Sequence, residues 1–171
     1  MKQTRQSPWD LIALGDHSTH AGGGRFHGHG TSSSPNTDET LSDVIVQTEW
    51  EGVDLVPTTG TTLAAVQQEI ASLSLGREHV LRQRLEQLGD TYELVLIDCP
   101  PSLDALSINA FTAASEVVVI THADKYAGEG LIKLAGTMSQ VRQFCARPDL
   151  RIAGIIFNAY DPNVKEQAHW Y

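Results

Sequence analysis

Asp98 is the residue whose surroundings are most open to chemistry. It follows the apolar run Leu94-Val95-Leu96-Ile97 and precedes Cys99-Pro100-Pro101-Ser102. A carboxylate at the tip of a buried strand can hold a hydrated divalent cation. Two prolines stiffen the turn behind it, and Ser102 can cap a following helix. Alone, an apolar run ending in aspartate is more often a plain turn, because short motifs match often. His122 and Lys125 follow a second apolar run and could touch a ligand or line a turn. His17, His20, His27 and His29 have the His-x-x-His and His-x-His spacings that suit zinc. No flanking acid or cysteine completes a set of four ligands, so a solvated, incidental cluster is expected. Cys99 and Cys145 have no histidine spaced to activate them and read as small buried side chains. Two cysteines are too few for a disulfide framework and point to a reducing cytoplasm.

The elements that must position Asp98 are legible from period and punctuation. Tyr92–Asp98, Glu116–Thr121 and Arg151–Asn158 are apolar runs of the kind buried on both faces of a parallel sheet. Helices are expected between them, over about 103–114 and 128–146. Strand, helix, strand, helix, strand implies right-handed crossovers, with ligands at the carboxyl ends of the strands. That edge would carry Asp98, His122 to Lys125 and Asn158 to Asp161, with the three strands as neighbours. Upstream, Leu41–Val46 reads as a short helix capped by Thr40 with Asp43 three residues on. Val53–Pro57 reads as a strand, and Thr61 or Thr62 as the cap of a helix through Ser72. Leucines and valines at helical spacing predict a further helix over Arg77–Leu88, ended by Gly89-Asp90. On the helix over 130–144, Leu131, Leu134, Met138 and Val141 form a core face rather than a membrane-binding one.

From Tyr92 to Leu131 the sequence resembles the ParA family of P-loop partitioning ATPases, kin of MinD. The matching residues are Asp98-Cys99-Pro100-Pro101-Ser102-Leu103, Asn109-Ala110, Ala113-Ala114-Ser115-Glu116-Val117 and Lys125-Tyr126-Ala127-Gly128-Glu129-Gly130-Leu131. Thr40 to Ile45, Asp149 to Ile155 and Tyr160-Asp161 also fit, so the resemblance covers about 40–162 in order. It implies an α/β, three-layer P-loop NTPase-like domain with a mainly parallel sheet, here incomplete. It also implies an ATP-driven dimerising switch that positions plasmids, chromosomes or other cargo. Asp98 matches the Walker B aspartate, catalytic and holding magnesium through water. Pro100, Pro101, Ser102 and Leu103 match the switch segment that senses the γ-phosphate. Asn158 lies where the MinD-like group often places an adenine-contacting side chain. ATP and magnesium are the implied cofactors. The implied partners are a ParB-type activator, a second copy in a homodimer and nonspecific DNA. The implied location is the cytoplasm, on the nucleoid.

The sequence departs from the family at one decisive place. The loop Lys-Gly-Gly-x-Gly-Lys-Ser/Thr, whose lysines and hydroxyl hold the phosphates and magnesium, does not occur in the 171 residues. Gly22-Gly23-Gly24-Arg25 is a glycine run with no Lys-Ser/Thr after it. The family's acidic motif Asp-x-Asp-Pro-Gln-Gly is replaced by Phe26-His27-Gly28-His29-Gly30-Thr31. Residues 1–39 are therefore expected to be an atypical, disordered or misread segment, with the ParA-like domain over 40–171. Codons for Ala21–Phe26 read one base later can spell Leu-Val-Val-Val-Asp, the family's missing strand. This suggests a frame shift between about His17 and His27, in a chain that starts upstream. Leu11–Gly15 resembles the end of the family's first helix. Trp9–Leu14 could also serve as a strand in place of the missing phosphate-loop strand, which is central in the family's sheet.

Composition bounds the function. The net charge of −9 opposes a broad nucleic-acid surface. No apolar run approaches the roughly 20 residues of a transmembrane helix. Two readings follow, a ParA-like partitioning protein of the ATP-switched type, or a non-enzymatic ParA relative that keeps a protein-interaction surface.

Overall fold

The computed structural model describes residues 11–16, 40–58, 60–123, 125–160 and 163, with the backbone alone for 11–16, 60–62, 125 and 126. The histidine cluster, the glycine run, the proposed frame shift and Asp161 lie outside the described residues, as do residues 1–10 and 17–39 of the segment expected to be disordered, while its residues Leu11–Asp16 form a strand. The chain forms two compact units, residues 1–110 and 111–171.

The first unit is a four-stranded sheet in the order β2-β3-β1-β4. β1 (Leu11–Asp16) pairs in parallel with β3 (Val53–Thr58) on one side and β4 (Leu94–Ile97) on the other. The segment that resembled a helix end is thus a strand. It fills the centre of the sheet, giving β3 and β4 a common hydrogen-bonding partner and leaving no open gap between them. β2 (Val46–Gln47) runs antiparallel to β3, with Val46 opposite Leu55. That pairing shortens the helix expected over Leu41–Val46 to α1 (Leu41–Val44). Leu41 and Val44 pack with Val56 and Leu88, and Ile45, Leu85, Tyr92, Val95 and Ile97 close around them.

The expected cap of α1 is present. The Thr40 backbone N–H and hydroxyl both donate to the Asp43 carboxylate, at 2.9 and 2.8 Å. Those two donors hold the Asp43 carboxyl below its usual value, the backbone one first. A carboxyl depressed in the folded state stabilises the fold above its unfolded value of 3.8 and loses that contribution as pH falls through the folded value. Denaturant midpoints should therefore fall more between about pH 5 and about pH 2.5 in the parent than in Asp43→Asn. Equal falls would contradict the cap.

Helix α2 (Gly60–Ser72) starts at Gly60, so Thr61 and Thr62 lie within its first turn and do not cap it. α3 (Val80–Glu86) is shorter than its apolar spacing predicted, and a single 3-10 turn at Gly89–Thr91 follows it. Gly89 has φ +55°, a left-handed conformation natural to glycine, and it opens that turn three residues after α3 has ended, so it is not what stops the helix. α4 (Ala105–Ala113) carries the fully buried Ser107 and Thr112.

The second unit pairs β5 (Glu116–Thr121) in parallel with β6 (Arg151–Phe157). α5 (Lys125–Phe144) connects them. Met138 and Val141 on α5 are buried, as are Cys145 and Leu150 after it, confirming the core face. Arg147 donates to the Ala114 carbonyl at 2.6 Å and Arg142 to the Leu150 carbonyl at 2.7 Å, tying the connections to the strand ends.

Two sequence expectations about the strands are corrected. β4 hydrogen-bonds to β1 and to no other described strand, so of the three runs only β5 and β6 pair with each other among the described residues. Nor are the three runs buried on both faces. Leu94 and Leu96 of β4 are about half exposed, and Ile120 of β5 is 66% exposed. Purely apolar strands need a layer on each face, whereas Val118 and Ile156 are also more than half exposed.

Candidate functional site

β4 ends at Ile97, and Asp98 stands exposed at its carboxyl tip. Its position follows from the sheet, because parallel pairing of Leu11–Leu14 with Leu94–Ile97 fixes where the strand stops. Pro100, Pro101, Ser102 and Leu103 form the exposed link to α4.

That link is fastened at its far end. The helix cap is Asp104, which corrects the assignment of that role to Ser102. Asp104 Oδ1 accepts the Leu106 and Ser107 N–H groups at 3.0 and 3.2 Å. The Ser102 hydroxyl donates to Asp104 Oδ2 at 2.9 Å, and the Ser107 hydroxyl donates to the Ser102 carbonyl. Aspartate is a better N-cap than most residues because its oxygen satisfies orphan amide donors. Its place just ahead of Ala105-Leu106-Ser107 was the available signal, obscured by an equally plausible serine two residues earlier.

Asn109 is a second organising residue. It is 3% exposed and uses all of its amide. Oδ1 accepts the Leu81 N–H at 3.2 Å, and Nδ2 donates to the Arg77 and Ala105 carbonyls at 2.8 and 2.9 Å. It thereby ties α4 to the start of α3. Below the sheet surface, Tyr92 donates its hydroxyl to the buried Asp54 carboxylate at 2.7 Å.

Cys99 sits between two carboxylates. Burial pushes its thiol up, and the charges of Asp98 and Asp104 push it further. The thiol therefore stays protonated at neutral pH, as the lack of an activating histidine implied. Iodoacetamide at pH 8 should alkylate Cys99 several-fold more slowly than an unstructured cysteine peptide, and Asp98→Asn should speed the reaction. Peptide mapping by mass spectrometry checks this, and labelling at the peptide's rate would contradict it.

Asn158 stands exposed at the end of β6 in the second unit. Its N–H donates to the Thr121 carbonyl at 2.7 Å, and its side-chain oxygen accepts the Ala159 N–H at 3.0 Å. Ala159 takes φ +53° in the resulting turn. His122 is exposed after β5, and Lys125 opens α5. Among the described residues no three His, Cys, Asp or Glu side chains are grouped to hold a metal.

The chemistry of the segment fits one half of a magnesium nucleotide. Asp98 offers an exposed carboxylate of the sort that holds magnesium through water. Residues 98–104 contain two acids and no cation, so they do not fit a triphosphate.

A mainly parallel arrangement of strands with connecting helices and an aspartate at a strand tip is an α/β architecture that P-loop NTPases share with other classes, and the comparisons decide among them. A family model described as an AAA domain matches residues 31–152. The chain belongs to that family, in its ParA/MinD branch of P-loop ATPases. It is 36% identical over 124 residues to the sporulation initiation inhibitor protein Soj of Bacillus subtilis, covering 72% of this chain and 48% of Soj. It is 39% identical over 121 residues to the chromosome partitioning protein ParA of Caulobacter vibrioides, covering 70% of this chain and 44% of that protein. The chain thus spans about half the length of these curated relatives. Among solved structures it is similar to cobyrinic acid a,c-diamide synthase from Mycobacterium smegmatis, crystallised with an ATP analog and magnesium. The TM-score is 0.77 at 26% identity, covering 95% of this chain and 68% of that one.

Proposed function

We propose that this chain is part of a ParA-like partitioning protein, acting as the switch that positions a plasmid, a chromosome or other cargo. The observation that carries this is the order of the family's motifs around Asp98. A strand tip with an acid is followed by a proline-stiffened segment whose far end is hydrogen-bonded into α4 through Ser102, Asp104 and Ser107. Such a segment can pass a change at Asp98 into a helix. In this role Asp98 holds magnesium through water, Pro100, Pro101 and Ser102 respond to the nucleotide, and Asn158 contacts the base. Mg-ATP is the cofactor, and a ParB-type activator and a second copy of the chain are the partners, in the cytoplasm. Nonspecific DNA binding, common in the family, is opposed here by the charge of −9.

One specific observation favours a second reading. The 171 residues hold no glycine loop followed by Lys-Ser/Thr, which suits a relative that keeps the fold and a protein-interaction surface without nucleotide. Replacing the gene in its host by an Asp98→Ala allele tests the choice. Partitioning by nucleotide switching predicts that cells lacking the cargo replicon become more frequent. Loss at the parental frequency would favour the second reading.

A further inference from the structure

Between Phe26 and Gly76 the sequence has seven acidic residues, Asp38, Glu39, Asp43, Glu49, Glu51, Asp54 and Glu69, and no lysine or arginine. Within that stretch, the turn joining β2 to β3 carries Glu49-Trp50-Glu51, all three exposed. Trp50 is 75% exposed. A single exposed apolar side chain is ordinary, but this one is on a fixed support. The Thr48 hydroxyl donates to the Val53 carbonyl at 2.6 Å and accepts the Trp50 N–H at 3.2 Å. The Val53 N–H closes the loop on the Trp50 carbonyl at 3.1 Å, and Gly52 supplies the left-handed corner at φ +77°. Neither Glu49 nor Glu51 is ion-paired among the described residues.

We infer that this hairpin tip is a docking point for a basic segment of a partner protein. An indole face attracts a guanidinium or ammonium group through its quadrupole, and a carboxylate on either side in sequence supplies the opposite charge. The rigid turn means that little order is lost on binding. The absence of any lysine or arginine for fifty residues around it leaves the tip attractive to cations and repellent to nucleic acid. The contact requires no nucleotide, so it stands apart from the switch around Asp98.

The test is fluorescence anisotropy of a labelled, short peptide of alternating glycine and arginine, titrated with the 171-residue chain without ATP at low salt. Saturable binding is expected. Trp50→Ala should weaken it about fivefold or more, while Trp50→Phe, which keeps a ring, retains most of it. Glu49→Gln with Glu51→Gln should weaken it and flatten its salt dependence. Trp50 is solvent-exposed, so these variants should unfold at the parent's denaturant midpoint. No saturable binding would overturn the inference. So would unchanged binding by Trp50→Ala, or equal losses in Glu86→Gln with Glu93→Gln, which would mark a response to general acidity.

Discussion

Calorimetric titration of the 171-residue chain with Mg-ATP is expected to give a dissociation constant no tighter than about 1 mM, or roughly 4 kcal/mol of binding free energy. ATP binding in this class rests on a loop whose backbone N–H groups and lysine neutralise the phosphates. The chain has no such loop, and the segment from Asp98 to Asp104 presents two carboxylates. Asp98 repels a polyanion and helps only through magnesium. A net charge of −9 opposes the triphosphate further. Hydrolysis should not exceed background, and Asp98→Ala should change neither quantity. Micromolar affinity abolished by Asp98→Ala would reveal a phosphate site elsewhere in the chain.

The second large effect is expected at Asn109. Asn109→Ala leaves the Leu81 N–H and the Arg77 carbonyl without the partner each has in the parent. It also removes the bond to the Ala105 carbonyl. The Asn109 side chain is buried but its bonds to Leu81 and Arg77 are only partly so, and water can reach some of what is stranded; a loss of about 1–3 kcal/mol is expected in urea unfolding. Exchange of the Leu81 amide should quicken in parallel. A loss under about 1 kcal/mol with Leu81 still protected would mean that water replaces the side chain without penalty.

What the sequence made legible was whatever depends on local pattern. The apolar runs became β4, β5 and β6, and the spacing of Leu131, Leu134, Met138 and Val141 became the inner face of α5. Thr40 and Asp43 announced their own hydrogen bonds. Pairing was not legible, because it depends on distant partners. Nothing in Leu11–Asp16 says that it lies between Val53–Thr58 and Leu94–Ile97. Apolar runs predicted strands covered on both faces, but coverage belongs to other elements, and Val118, Ile120 and Ile156 remain open. At the candidate site Asp98 was found from its strand. Asp104 was missed because Ser102 competed for the same cap, and caps are decided by backbone geometry rather than residue type alone. Asn109 was seen as part of a motif, while its bonds to residues 28 and 32 positions earlier could come only from the fold.

The central claim is that Asp98 and the segment after it are the magnesium side of a ParA-type nucleotide switch whose phosphate side is not in these 171 residues. The most direct measurement is a calorimetric Mg-ATP titration of the chain joined to an upstream Lys-Gly-Gly-x-Gly-Lys-Thr strand and loop, beside the same protein with Asp98→Asn. The account predicts micromolar binding in the first and its loss in the second. No binding by the loop-restored chain, or binding indifferent to Asp98→Asn, would contradict it.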